Sequence, residues 1–402
     1  MRVSTSMLYA LGSDQIGKQQ SELLRTQQQL STGRRMLAPA DDPVAAAQTL
    51  REGQARAMAG QYTENQASAR ASLALAESVL GDAGSAIADA RTVLVAAGSG
   101  ILGDADRRSM ALELRNQCER LLGLANSRGA DGEYLFSGYK GGTQAFAATA
   151  AGAAYSGDEG VRLLAVADGR SMPVSANGAS IFDRVPGGNG VFTVAPGAGN
   201  TGSGVHDAGA VANSALLTGH AYRVVFDVTA GVTTYDVLDV TLGANVVTGA
   251  AWVSGQSIAF DGLQLRIDGA PADNDRFDVA PSAGTSVFAT LKGLATLLEA
   301  PVRSPAGRAA LGSGIASGLA ALDQATGRVL QERVRMGAHL QELDSLGDLV
   351  SGRALQHDEE LSRLSDLDYA EAITRFSAQQ AALQAAQQSF LRVSSLSLFD
   401  QL

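Results

Sequence analysis

Two runs of large apolar residues at strict seven-residue spacing flank a glycine-rich middle, and they leave this chain few ways to fold. In the first half Leu73, Leu80, Ile87 and Leu94 recur every seven residues, with Ala76, Ala83, Ala90 and Ala97 three places later each time. Towards the other end Ile315, Leu322, Val329, Met336, Leu343 and Val350 keep the same spacing. A seven-residue apolar period is a narrow helical stripe that requires a partner helix, and alanine opposite leucine lets the two axes come close. The two seams are therefore expected to pack on each other. Halves distant in sequence then build one antiparallel helical body, and whatever lies between is an excursion from it.

Local signals mark where the helices start and stop. Asp41-Asp42 followed by Pro43 reads as an N-cap with proline in the first turn, where its missing N–H costs nothing. Gly98-Ser99-Gly100 breaks the run, Asp104 can cap a second helix, and residues 126–132 end it in a polar, glycine-containing turn. The excursion, residues 141–284, alternates as half-buried strands do. Tyr222, Val224, Phe226 and Val228 share one face, and Ile258-Ala259-Phe260, Asp261-Gly262 and Leu263 to Ile267 read as a hairpin. The fold class expected is α+β, a long-helix antiparallel bundle or coiled coil built from both chain ends, with an inserted β-rich domain. Its divisions fall at 1–40 (N-terminal helix), 41–140 (first half of the helical core), 141–285 (outer β-rich domain), 286–355 (second half of the core) and 356–402 (C-terminal helix).

The extreme ends are weaker helices. Tyr9, Ile16, Leu23 and Leu30 fall seven apart, as do Tyr369, Phe376, Leu383 and Phe390, but glutamines stand between them at Gln20, Gln27, Gln380 and Gln387. One large apolar residue per two turns buries too little to offset the roughly 1–2 kcal/mol lost in ordering each residue. Such ends need neighbours, which makes both stripes candidate packing surfaces between subunits.

Sites for chemistry are sparse. The net charge of −10 and the absence of a Lys/Arg run argue against nucleic acid, and no stretch approaches the length of a membrane span. The start of the chain lacks the apolar core of a cleaved secretory signal, which taken alone points to the cytoplasm. Residues 98–103 fit a dinucleotide fingerprint, yet Leu94 and Ala97 continue the helical seam before it, so a helix break is the better reading. Asp268, Asp273, Asp275 and Asp278 crowd one loop without the spacing or closing glutamate of a calcium loop, and read as solvated turn carboxylates. His206, His220, His339 and His357 share no metal-ligand spacing, and the single cysteine, Cys118, reads as a packed bystander on an apolar helix face. No catalytic, cofactor or metal site is expected; the competing reading is a soluble enzyme whose β insertion is catalytic.

Several multi-residue stretches resemble the flagellin superfamily. They are Met1-Arg2-Val3-Ser4-Thr5, Gln29-Leu30-Ser31-Thr32-Gly33-Arg34-Arg35, Pro39-Ala40-Asp41-Asp42-Pro43-Val44-Ala45, and Asp131-Gly132-Glu133-Tyr134-Leu135-Phe136-Ser137-Gly138-Tyr139. The stretch from Asp368-Tyr369-Ala370-Glu371-Ala372-Ile373 to Ser394-Ser395-Leu396-Ser397-Leu398-Phe399 is similar again. The likeness is greatest to the superfamily's hook-filament junction branch, the hook-associated protein 3 class. Filament flagellin itself is the nearest rival; it tends to begin with an Ile-Asn-Thr-Asn stretch and to carry Asn-Gly where this chain has Tyr134 to Tyr139. The resemblance implies export as an unfolded chain by the flagellar type III system and capture of the C-terminal stripe by a cytoplasmic export chaperone. It further implies an extracellular place between hook-associated protein 1 and flagellin, packed against neighbouring copies.

Overall fold

The computed structural model describes residues 5–100 and 102–395. Residues 1–4 and 396–402, which carry part of the family likeness, lie outside the described residues. Six helices account for both ends: α1 (Thr5–Thr32), α2 (Pro43–Ala97), α3 (Asp104–Ala125), α4 (Val287–Glu299), α5 (Pro305–Ser365) and α6 (Tyr369–Ser395). The long connection between α3 and α4 carries fifteen short strands, so the architecture is α+β with the strands inserted between helices. The chain divides into two compact units, Met1–Glu64 with Ser345–Leu402, and Asn65–Asp344.

In the second unit the two expected seams meet. Leu80, Ile87, Leu94, Leu322 and Leu343 have no exposed surface, and Leu73, Ile315, Val329 and Met336 are buried beside them. Ion pairs fix the direction: Arg91 reaches Asp323 at 2.7 Å, Arg333 reaches Glu77 at 2.6 Å, and Arg70 pairs with Asp344. Partners advance on one helix as they retreat on the other, which is antiparallel packing. Close approach comes from the small residues of the seam; a Cβ added at Gly84 would lie 3.6 Å from Val329 Cγ1. Helix α4 settles on α5 because Gly314 and Gly318 leave notches into which Leu297 and Leu294 fit, and a methyl at either glycine would overlap them. Arg115 on α3 closes the other side with a bidentate grip on Glu299 at 2.8 and 2.9 Å.

Helix termini follow the sequence with one shift. α2 begins at Pro43 with the Asp42 carboxylate accepting the Ala45 N–H at 3.0 Å, and it ends at Ala97 before the glycine run. For α3 the cap lies one residue before the expected Asp104: Gly103 is the N-cap, and its N–H donates to Asp106 at 3.1 Å. Asp104 is instead the first helical residue and pairs with Arg107, a better use of a carboxylate facing a buried guanidinium.

The inserted region has two layers. Next to the helices lie hairpins β1 (Phe146–Thr149) with β2 (Gly152–Tyr155) and β3 (Leu163–Ala167) with β4 (Arg170–Pro173), then a π-helical turn at Ala179–Asp183. Phe146 and Phe182 stack against Phe288 of α4, with centroids 5.1 and 6.1 Å away, and Phe136 stands edge-on to Phe182 at 5.7 Å. Tyr155 donates to the carbonyls of Phe136 and Asp158 beside this cluster, and burial pushes its phenol up to about 12. A narrow neck follows, where β5 (Val185–Pro186) will later pair with β15 (Gly284–Thr285).

Beyond the neck come β6 (Phe192–Pro196), β7 (Val205–His206), β8 (Ala210–Val211), β9 (Tyr222–Thr229), β10 (Val232–Asp239), β11 (Ala244–Ala251), β12 (Ser257–Phe260), β13 (Leu263–Asp268) and β14 (Arg276–Pro281). They form a five-stranded antiparallel sheet in the order β11-β10-β9-β14-β6 and a smaller sheet in which β13 pairs with β12, β7 and β8. Tyr222, Val224 and Phe226 face the core between them, as their alternation required. The β12–β13 turn is the expected tight hairpin, with Asp261 at φ 40° and Gly262 at φ 78°. The loop aspartates are not all solvated. Asp275 is buried because it accepts the N–H groups of Thr201, Gly202 and Ala272, a job that a water-facing carboxylate could not do.

Candidate functional site

The unit made by the chain ends presents the candidate surface. α1 and α6 lie side by side: Tyr9 stands edge-on to Phe390 with ring centroids 5.9 Å apart, and a Cβ added at Gly12 would come within 2.7 Å of the Phe390 ring. At the far end of α1 the two connections are stitched together. Arg35 N–H donates to Ser365 O at 2.8 Å and Leu367 N–H to Gly33 O at 3.0 Å. Gly33 holds φ at +67°, where only glycine is at ease, and the Tyr369 hydroxyl lies over it. Asp368 then caps α6 by accepting the N–H groups of Ala370 and Glu371 at 2.9 and 3.1 Å.

The residues between the large apolar ones are not the glutamines expected. Gln20, Gln27, Gln380 and Gln387 are exposed, whereas the seam positions are Gly12, Gln19 and Thr26 on α1, Gly33 just after it, and Ala372, Gln379 and Ala386 on α6. Positions three and four residues on from a seam residue both lie near it, and the partner helix sits on the three-residue side. Thr26 and Gln29 are buried there; Thr26 donates to the Glu22 carbonyl at 3.1 Å and Gln29 to the Arg35 carbonyl at 2.6 Å. Small seam residues bring the helices together but bury little area. Ile16, Leu23, Leu30, Phe376, Leu383 and Phe390 remain half-buried, and Tyr9 and Tyr369 keep 39% and 52% of their surface exposed.

The loop from α1 to α2 is held by charge. Asp41 accepts the N–H groups of Leu37 and Ala38 at 3.0 and 3.1 Å and pairs with Arg25 at 2.7 Å. Those N–H groups, with Arg25 after them, hold the Asp41 carboxyl below the usual carboxylate range. Its contribution is therefore full above about pH 3.9 and fades as pH falls through the lower folded value. Asp41→Asn should lower the unfolding midpoint at pH 7, and the gap from the parent should shrink as pH falls below about 3.9, checked by thermal melts across that range. Beside this loop runs a groove of about 580 Å³ lined by Met36, Leu37, Ala38, Pro39, Ala46 and Leu50. Further along, His357 lies 2.6 Å from Glu52, and Arg56 lies 2.9 Å from Asp358.

The other singled-out residues occupy structural places. Cys118 is half-buried 3.8 Å from the Phe288 carbonyl, and burial pushes its thiol up. His206 is buried, with Nδ1 2.7 Å from the Asp207 carbonyl, and His220 meets Asp239 at 2.7 Å. Among the described residues no group of three or more His, Cys, Asp or Glu is placed to hold a metal ion, and no helix is long and apolar enough to cross a membrane.

Comparison with known proteins fits this arrangement of helices at both ends and strands between. Residues 3–141 match the bacterial flagellin N-terminal helical region and residues 319–400 the bacterial flagellin C-terminal helical region. The chain belongs to the flagellin superfamily. Within it the likeness runs through the hook-filament junction branch. The chain is 28% identical to flagellar hook-associated protein 3 of Salmonella typhimurium and 29% identical to that of Escherichia coli, each over 99% of both chains. The solved flagellar hook-associated protein 3 of Legionella pneumophila shares 27% identity and a TM-score of 0.75, covering 78% of this chain and 98% of that one. FlgL of Xanthomonas campestris gives 28% and 0.72, over 77% and 99%. Residues 196–281 match the D2-like domain of flagellar hook-associated protein 1.

Proposed function

We propose that this chain is a structural adaptor of the bacterial flagellum, seated between hook-associated protein 1 and the flagellin filament. The observation that carries this is the α1–α6 pair. Two ends far apart in sequence return side by side across small residues, while their large apolar residues stay half-exposed. Such a pair holds together weakly alone and gains most of its burial from further helices. Neighbouring copies supply those helices through Tyr9, Ile16, Leu23 and Leu30 on α1 and Tyr369, Phe376, Leu383 and Phe390 on α6.

Full-length relatives that are hook-associated proteins favour the junction over the filament itself. The chain reaches its place by type III export in an unfolded state, with an export chaperone covering the α6 stripe beforehand. Cells lacking the chain should build hooks with hook-associated protein 1 at the tip and shed flagellin into the medium. Filaments of normal length on such cells would overturn the proposal.

Gly33 tests the corner that turns α1 away from α6. Gly33→Ala puts a methyl at positive φ against Tyr369, which should cost about 1–2 kcal/mol and speed amide exchange in α1 while leaving the seam of the second unit unchanged. Hydrogen exchange read helix by helix checks it.

A further inference from the structure

We infer that the groove beside the α1–α2 loop receives residues 396–402 of a second copy of this chain, a contact that rests on the adaptor reading above and gives it a named surface. The groove runs between the loop and the first turns of α2, and its lining is apolar except at one end. Leu50 keeps 75% of its surface exposed there and Leu37 36%. The exception is Arg34, which lines the groove and, among the described residues, pairs with no carboxylate.

Composition selects the occupant. Two segments at the chain's ends lie outside the described residues, and they differ in kind. Met1-Arg2-Val3-Ser4 would bring a second cation to Arg34. Leu396-Ser397-Leu398-Phe399-Asp400-Gln401-Leu402 brings four large apolar side chains and one carboxylate, with no cation. An apolar groove holding one unpaired cation is thus matched by an apolar segment holding one carboxylate, and each charge gains the partner that burial demands.

Reach selects the copy. α6 runs antiparallel to α1, with Tyr369 at Gly33 and Phe390 at Gly12, so it carries the chain away from the groove. Its end, Ser395, lies past Gly12, and the stretch of α1 from there back to Arg34 spans about 30 Å or more at roughly 1.5 Å per residue. Asp400 follows Ser395 so closely that at full extension it strays no more than about 18 Å. The same copy therefore cannot bring Asp400 to Arg34, whereas a copy set end to end with it can. Such a head-to-tail contact leaves a free groove at one end and a free segment at the other, which suits a subunit that adds to a ring or a stack.

In cells making the full chain, a photo-reactive benzoylphenylalanine in place of Phe399, or of Leu402 in a second strain, should cross-link to residues 34–54 of another copy. A tagged copy without the probe, made in the same cells, reports contacts between copies. Arg34→Glu and Asp400→Arg should each cut the yield about tenfold, and the two together should restore it. Arg51→Glu, an exposed cation next to Leu50 but outside the lining, should change the yield less than about twofold. Swimming is scored separately. Motile cells whose cross-links fall elsewhere on the neighbouring copy, within one copy, or on another protein overturn the inference and leave the adaptor reading standing. So do single charge reversals without effect, or a double reversal that fails to restore the yield.

Discussion

Replacing residues 143–284 with a short glycine-serine linker will unfold the helical part of the second unit, whereas excising only residues 188–282 will leave it folded. The difference lies in four phenylalanines. Phe146 and Phe182 lie in the inserted stretch but stack on Phe288 of α4 and Phe136 after α3. The longer deletion removes both and strips the faces of the two that remain. Each lost phenylalanine costs about 3–5 kcal/mol by analogy with Phe→Ala, against a total stability of about 5–15 kcal/mol for a domain. Asn126 would also lose its two bonds to Phe146, which close the end of α3 at 2.8 Å each. The shorter excision cuts beyond the neck, where β5 and β15 stay paired and Gly187 N–H still donates to Ala283 O at 3.1 Å. What it uncovers on α5 is small or polar: Gly312, Ser313, Ser317 and Gln324. Circular dichroism at 222 nm and thermal melts of the two variants should differ sharply. Equal melting of both would mean that the aromatic cluster adds nothing to the helices.

The same cluster shows how far the sequence could be read. The long seams were legible because a seven-residue period needs only its own residues to declare a helix face, and leucine against alanine told how closely the partner would come. The β12–β13 hairpin was legible because Asp261-Gly262 names its own turn. Phe146 and Phe182 carried no such signal. They sit on short, irregular elements whose burial is decided by α4, more than a hundred residues away. The terminal stripes were half legible. The seven-residue spacing of the large residues is plain in the sequence, but only the position of the partner helix decides whether the next seam residue lies three or four places on. Hence the spacing alone points as readily to the exposed Gln20, Gln27, Gln380 and Gln387 as to Gly12, Thr26 and Ala372. Gly12 offered the one usable clue, a glycine facing an aromatic three heptads from Gly33. Asp275 was hidden for a further reason: the N–H groups that it accepts include two about seventy residues upstream.

The α6 stripe should prove the most sensitive surface of all. Leu383 is half-buried and still reachable by another chain, and Phe390 lies over Gly12 beside Tyr9. On the proposed function the same residues meet a chaperone groove first and neighbouring copies later, as a helix presents anchors of seven-residue spacing to one groove after another. Leu383→Asp places a carboxylate where each of these partners would bury it unpaired, a cost of several kcal/mol at every contact. It should abolish swimming and weaken the chaperone complex by at least a hundredfold, roughly 3 kcal/mol or more. Phe390→Ala should act in the same direction but less, since it loses packing and an edge-on ring pair worth about 0.5–1.5 kcal/mol beyond its area, without burying a charge. Gln384→Ala, one residue along but exposed, should stay within about 0.5 kcal/mol of the parent. Thermal melts of the second unit separate these effects from general unfolding, because its seam does not include α6 and should be untouched in all three variants. Calorimetric titration with the chaperone and a soft-agar swimming assay then decide the matter. Parental affinity and motility in Leu383→Asp, with the substitution confirmed, would remove the α6 stripe from the working surface and leave the pairing of the chain ends as an intramolecular fastening alone.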